Sequence, residues 1–396
     1  MPDQLTCPHC QAPAKFLYFN DGKRRQQIRC KICSALFKIG KSFRQPKTKY
    51  WCPHCQHALY LWKQKKECSV YKCPNDQCPA YLKALQKLNI QEKNLRKFKL
   101  SQFKLRYQFR EYHFDNQQLR HSSPDDDGIN LFNIHRSAHV LGLVLTFHVS
   151  FAIAARKTAR ILKEVFSISI SYQTVLNYAQ AAAYYCHLFN MHFKGDIDDY
   201  SSGDETYIKI AGKNAFTFFF ISTENHKITA YHVADTRDTL PAVVAMNEAI
   251  RTARPDQKII FITDGNPSYP AGIHFLNSAR NPNNLIQHHQ VIGLQNLDEE
   301  SELHRHFKQI SERLNRTYKY HIRAASGFKA QNGAICLTTL FVTHYNFLRP
   351  HMALNYKVPI PLEMLTSCSL IQLKWYKIID FASKLHIPGK HVDIAN

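Results

Sequence analysis

Four cysteine pairs and a handful of carboxylates carry most of the chemistry that this chain's residue types allow. Cys7-Pro-His-Cys10 and Cys30-Lys-Ile-Cys33 stand 19 residues apart; Cys52-Pro-His-Cys55 and Cys73-Pro-Asn-Asp-Gln-Cys78 stand 17 apart. A CxxC turn puts two thiolates on one side of a tight loop. Two such loops facing each other across a small hairpin complete a tetrahedral zinc site of four thiolates. The chain opens MPDQLTC, with no apolar core of a secretory leader, so the thiols read as cytosolic rather than as a disulfide framework. The spacing predicts two structural Zn2+ ions, one on Cys7, Cys10, Cys30 and Cys33, the other on Cys52, Cys55, Cys73 and Cys78. They would fold a segment too small to bury its own core. Cys68 is left over, and His9, His54 and His57 are lesser candidate ligands.

The acids are further along. In KIIFITDGNPSYP, residues 258–270, four strand-type apolar residues lead into Thr263, Asp264 and Gly265. An aspartate there is often only a turn former. A strand tip is also where an open α/β sheet presents its chemistry, so its partners decide. Around it, SGDETYIKIAGK, AFTFFFIST and KITAYHVAD read as three antiparallel strands, with Asp204 at the start of the first. A helix (TLPAVVAMNEAIRTA), the strand ending on Asp264, a helix, a short strand (LIQHHQVIG) and a long helix over about 298–323 follow. Three antiparallel strands, then helix, strand, helix, strand, helix, is the order of a ribonuclease-H-like fold. There the first strand lies beside the fourth, which brings Asp204 to Asp264. The final helix then offers Glu312 as a third carboxylate. Three converging carboxylates suit two Mg2+ (or Mn2+) ions about 4 Å apart that hold a phosphate between them. Glu312, Asn315, Arg316, Lys319 and Arg323 share one helix face, where one acid and three cations grip metal and DNA backbone together.

What surrounds these groups points to a polyanion. Of 396 residues, 52 are Lys or Arg against 30 Asp or Glu, a formal net charge of +22, which favours nucleic acid through counterion release. The longest apolar stretch, residues 140–155, is interrupted by Thr146, His148 and Ser150 and is too short for a membrane span. A cytoplasmic, nucleoid-associated location and no membrane partner are expected. Residues 81–128 form a basic stretch with interleaved aromatics, a linker that tracks DNA or a solvated helix face. Over 129–195 the pattern is helical. AARKTARILKEVF is followed, after a short turn, by YQTVLNYAQAAAYYC with Ser171 as N-cap. This fits a helix-turn-helix showing Tyr172, Gln173, Thr174 and Asn177 to a DNA groove; an ordinary helical bundle is the bland alternative.

Residues 200–366 resemble the catalytic domain of DDE-type insertion-sequence transposases, akin to retroviral integrases. GDETYIKIAGK, DTRDT, ITDGNPSY, SERLNRTYK and NFLRPHMALNYKVPI match that family's motifs in order. The resemblance implies Asp204, Asp264 and Glu312 as a metal-binding triad. The interval from Asp264 to Glu312 is longer than usual in the family, and Glu300 sits nearer the usual spacing. Glu312 is preferred because its ERLNRTYK context is the family's own, while DEESE around Glu300 suits a helix N-terminus. The expected organisation is multidomain: two tandem four-cysteine zinc ribbons (1–80), a basic linker (81–128), an all-α helix-turn-helix domain (129–195), an α/β RNase-H-like catalytic domain (196–366) and a C-terminal tail (367–396). The implied function is binding of insertion-sequence ends, with metal-dependent cleavage and transfer of double-stranded DNA by a homo-oligomer. A domesticated DNA-binding regulator and an RNase-H-like nuclease are the alternatives.

Overall fold

The computed structural model describes residues 5–8, 10–21, 27–33, 35–38, 49–125, 136–291 and 299–385, with side chains in the last span from residue 301. The chain divides into two compact units, Met1–Glu111 and Tyr112–Asn396.

The first unit holds two small antiparallel sheets. In one, β1 (Leu17–Phe19), β2 (Ile28–Cys30) and β3 (Leu36–Phe37) pair in that order over a core of Cys7, Leu17, Ile28, Cys30 and Phe37. In the other, β4 (Tyr60–Gln64) and β5 (Cys68–Lys72) are joined by a third strand, β6 (Gln108–Tyr112). That third strand comes from the stretch 81–128, expected as a basic linker or a solvated helix face. The stretch contains α1 (Pro79–Gln86), α2 (Ile90–Phe98) and β6. Leu105, Tyr107 and Phe109 pack on a core of Cys52, Leu59, Cys73, Cys78 and Tyr81. Glu111 accepts hydrogen bonds from Tyr50 and Tyr71 at 2.7 and 3.1 Å. Tyr107 and Phe109 help to close a cysteine-centred core, whereas Phe98 is exposed.

In the second unit the helical stretch begins with α3 (Ala138–Leu145), which passes into a π-turn at Thr146–Ser150. The helical path is thus continuous from Ala138 to Ser150, and residues 126–135 lie outside the described residues. Next come α4 (Ala155–Phe166) and α5 (Tyr172–His192). Ser167 in the left-handed region ends α4, and the Ser171 hydroxyl accepts from the Thr174 amide at 3.0 Å to start α5.

The sheet follows. It comprises β7 (Tyr200–Ile210), β8 (Lys213–Ser222), β9 (Ile228–Ala234), β10 (Ile260–Thr263) and β11 (Gln287–Gln290), with α6 (Thr239–Ile250) before β10 and α7 (Ser268–Asn277) after it. Then come α8 (Glu299–Arg323), α9 (Gln331–Thr343), α10 (Glu363–Thr366) and α11 (Ile371–Leu385). The spatial order is β11-β10-β7-β8-β9, with β8 antiparallel to both neighbours and β10 parallel to β7 and β11. This is the RNase-H-like arrangement. Asp204 lies in the middle of β7 rather than at its start, since the strand already begins at Tyr200.

Both faces of the sheet are covered, and β8 shows how. Phe218 and Phe220 join a core with α6 and α7; Phe219 and Ile221 join another with α8 and α9. A third core runs from α3 and α5 through Cys336, Leu340 and Phe347 to Trp375 and Ile378 of α11. The expected C-terminal tail is therefore corrected for its first part: Trp375 is fully buried, because α11 supplies the wall that α3 and α5 need. Among the described residues no helix is long and apolar enough to cross a membrane.

Candidate active site and thiol clusters

Register alone brings the first two acids together. In the parallel pair, Ile260 faces Tyr200 and Ile262 faces Ser202; two residues further, Asp264 comes level with Asp204. Within β7, side chains alternate between faces. Asp204 is opposite Phe219 and Glu205 opposite Phe218, so Asp204 points toward α8 and Glu205 toward α6 and α7. Gly203, just before them, has no Cβ for a reason: one there would run into the Phe220 ring.

Helix α8 steps along β7 turn by turn. Phe307 stacks on Tyr200 with centroids 5.1 Å apart, Ser311 bonds Ser202 at 3.0 Å, and Asn315 gives its amide to Asp204 Oδ2 at 3.0 Å. Four helical residues advance about 6 Å and two strand residues about 6.6 Å, so the match holds over three turns. Lys308, 8% exposed, places its Nζ 3.0 Å from Asp204 Oδ1.

Carboxylate oxygens of Asp204, Glu205 and Asp264 lie within 4.8 Å of one another. Asp264 Oδ1 accepts from the Asn266 amide at 2.9 Å. Glu205 is the most enclosed, 3% exposed, with Arg237 at 2.6 Å, the Tyr269 hydroxyl at 2.6 Å and the Asn266 amide group at 3.1 Å. Burial, with Glu205 next to it, pushes the Tyr269 hydroxyl far above its ordinary value, so it stays protonated and donates. Glu312 is not in this trio. It is half-buried, one turn beyond Lys308 and one turn before Asn315, on the stretch of α8 that meets Asp204.

Other expected site residues are dispersed. Asn315, expected on the DNA-facing side of α8, is 8% exposed and gives its amide to Asp204. Arg316, Lys319 and Arg323 are not buried, and neither are Tyr172, Gln173, Thr174 and Asn177 at the opening of α5. Gln173 bonds Asn177 at 2.9 Å, and Arg156 lies over the Tyr172 ring. Glu300 begins α8, but its side chain lies outside the described residues. Sequence reasoning missed Glu205, Lys308, Arg237 and Tyr269. The motif letters DETY and GNPSY held part of that signal, since Asn266 and Tyr269 both bond Glu205.

In the first unit each cysteine quartet converges. Cys7–Cys33 and Cys10–Cys30 are 3.5 and 3.6 Å apart; Cys52–Cys78 and Cys55–Cys73 are 3.8 and 3.5 Å apart. Each set of four lies within 4.8 Å. Burial pushes the Cys55 thiol up, but Asn75, the His57 amide and the neighbouring thiols outweigh it and bring it to about 6. The same competition brings Cys30 to about 7, with the Cys33 and Ile32 amides opposing burial. Cys68 sits on β5 outside both sets. His54 packs on Tyr107, His57 bonds the Cys55 carbonyl, and His9 lies outside the described residues.

A mid-strand aspartate and one just past a strand end thus meet under a helix on an RNase-H-like sheet. Residues 201–332 match the family model described as a DDE domain, and the chain thus carries a DDE domain of the transposase type. Among solved structures the chain is similar to the HTLV-2 integrase catalytic core domain in complex with magnesium, dimeric form (13% identity, 41% of this chain and 92% of that one, TM-score 0.28). It is also similar to a chain of the simian T-cell lymphotropic virus intasome in complex with PP2A regulatory subunit B56 gamma (15%, 52% and 70%, 0.28). A third is the Mos1 strand transfer complex (11%, 68% and 98%, 0.19). No curated protein matches the chain.

Proposed function

We propose that this protein is a DNA transposase that binds the ends of an insertion sequence and cuts and joins DNA through Asp204, Asp264 and Glu312. The observation that carries it is the level placement of Asp204 and Asp264 within a DDE domain, beneath the turn of α8 that bears Glu312. The donor set is all carboxylate oxygen, which suits Mg2+ or Mn2+ rather than a softer ion, and the closely set carboxylates of Asp204 and Asp264 favour a cation. Bound at Asp204, Asp264 and Glu312, two such ions would activate the attacking hydroxyl or water and stabilise the leaving oxygen. The chain's own groups do the positioning. Asn315 fixes Asp204 Oδ2, the Asn266 amide fixes Asp264 Oδ1, and Lys308 offsets their repulsion. Glu205, tied to Arg237 and Tyr269, holds β7 to the opposite wall.

The thiol quartets fit structural zinc, one ion each. With Zn–S near 2.3 Å, a tetrahedron has edges of about 3.8 Å, and the paired sulfurs stand 3.5 to 3.8 Å apart. Helices α4 and α5, with Tyr172, Gln173, Thr174 and Asn177 at the opening of α5, serve as a helix-turn-helix on double-stranded DNA, and the protein acts as a homo-oligomer there. The +22 charge supports the DNA contact.

The test is incubation of the full chain with labelled element-end DNA in Mg2+. Cleaved ends joined to a target are expected. Cleavage without joining would make it a nuclease, and binding without either would make it a regulator.

A further inference from the structure

One flank of α8 lines a cavity that the acidic site does not use. Its volume is about 790 Å3, within the range of roughly 300–1,000 Å3 of small-ligand clefts. Arg313, Arg316 and Tyr320 reach it from α8, Phe151 from the end of the π-turn, and His344 and Arg349 from the segment after α9. At about 100° per residue, Arg313, Arg316 and Tyr320 lie roughly 100° around the helix from Lys308 and Asn315. The cavity therefore borders the acidic site, with Glu312 one turn before Arg316, and is lined by neither aspartate.

Its lining asks for a particular ligand. No salt bridge joins a described carboxylate to Arg313, Arg316 or Arg349; Arg349 lies over the Tyr345 ring at 5.6 Å. Three guanidinium groups around one cavity, none in a salt bridge to a described carboxylate, favour an anion, and a guanidinium fork matches phosphate. Two large rings stand beside them, Phe151 54% and Tyr320 65% exposed. At the wall, His344 is only 6% exposed, and its Nδ1 has no hydrogen-bond partner among the described residues. Burial, then His321 and Arg349, lower its pKa to about 3, so the ring is neutral at physiological pH. Phosphate-binding cations, exposed rings and one buried polar atom together describe a nucleotide.

We propose that this cavity seats an unpaired nucleotide of a DNA strand, its phosphate among Arg313, Arg316 and Arg349 and its base against Tyr320 and Phe151. Every base has a π-face, so the seat is indifferent to sequence. The proposal rests on the reading of this domain as one that handles DNA strands, and it is tested apart from the chemistry.

The full chain, with no divalent ion added, is titrated by fluorescence anisotropy against a labelled short oligothymidine and an abasic strand of equal length. Tyr320→Ala is expected to weaken binding of the intact strand by about 5- to 150-fold and to leave the abasic strand unchanged. Tyr320→Phe, which keeps the ring, is expected to bind like the wild type. Arg313→Gln should weaken both strands. Unchanged binding of the intact strand by Tyr320→Ala, or an equal loss on the abasic strand, overturns the proposal. So does a tenfold rise in affinity on deleting residues 386–396, which would make the chain's own end the occupant. Since no cleavage is measured, a protein that fails to cut DNA can still pass, and one that cuts can still fail.

Discussion

In the first unit the thiols of Cys52, Cys73 and Cys78 are themselves the buried core, with Leu59 and Tyr81 packed around them. In the second, Asp204 and Asp264 stand at the rim of cores built from Phe218, Phe219, Phe220, Phe261 and Tyr318, to which they add nothing. Both clusters are arranged for metal, yet one builds its surroundings and the other is held by them. Metal loss should therefore unfold the first and only silence the second.

The largest effect is expected from the thiols. Structural zinc contributes on the order of 10 kcal/mol to folding in small domains. Chelation, or Cys73→Ser at the second quartet, should abolish hydrogen-exchange protection across 49–111 while 136–385 keeps its own. Retained protection across β4, β5 and β6 would break the contrast.

Next come the aspartates. Asp204→Asn and Asp264→Asn keep shape but remove charge, and should lower cleavage and joining by about 1,000-fold, the several kcal/mol that metal-ion catalysis supplies. The thermal midpoint should hold for Asp264→Asn and fall by a few degrees for Asp204→Asn, which leaves the buried Lys308 without its partner. A fall of many degrees would show that the carboxylates build the fold after all.

Acid should attack the second unit through its buried imidazoles. Burial, then His121 and Arg251, depress the pKa of His187 from 6.5 to about 3, and its Nδ1 meets the Tyr231 hydroxyl at 3.0 Å. The unfolded chain takes up a proton near pH 6.5 that the folded one refuses until about 3. Stability is thus intact above the ordinary histidine pKa of about 6.5 and falls by about 1.4 kcal/mol per pH unit below it, until the folded ring also protonates. His187→Gln should flatten that slope in urea titrations of the second unit; an unchanged slope would show that this ring does not control it.

How much of this was legible before the structure varied with the range of the signal. The quartets were readable because zinc fixes cysteine spacing locally. The order of strands and helices placed β10 beside β7, and with it Asp264 beside Asp204, since periodicity survives without tertiary detail. Strand β6 was not foreseen because it pairs with β5 across two helices, and nothing in QFREY names its partner. The tail was misread because the apolar face of α11 has meaning only against α3 and α5. Helix phase puts Asn315 on the face with Glu312 but does not reveal its hydrogen bond to Asp204. Glu205 was passed over because adjacency to Asp204 in a strand puts it on the other face, and the bend of the chain at Asp264 brings all three together.

The smallest expected effect concerns Glu205, and it opens the most direct test. Breaking its bonds to Arg237 and Tyr269 by Glu205→Gln should cost about 1–3 kcal/mol of stability and leave activity within about tenfold, since the group holds a wall rather than a metal. Asp204→Asn, Glu205→Gln and Glu312→Gln are to be assayed side by side on labelled end DNA in Mg2+, each with a thermal melt. The expected result is Asp204→Asn and Glu312→Gln folded and inactive, with Glu205→Gln less stable and active. A fully stable but inactive Glu205→Gln beside an active Glu312→Gln would contradict it, and would put the third ligand on the other face of β7.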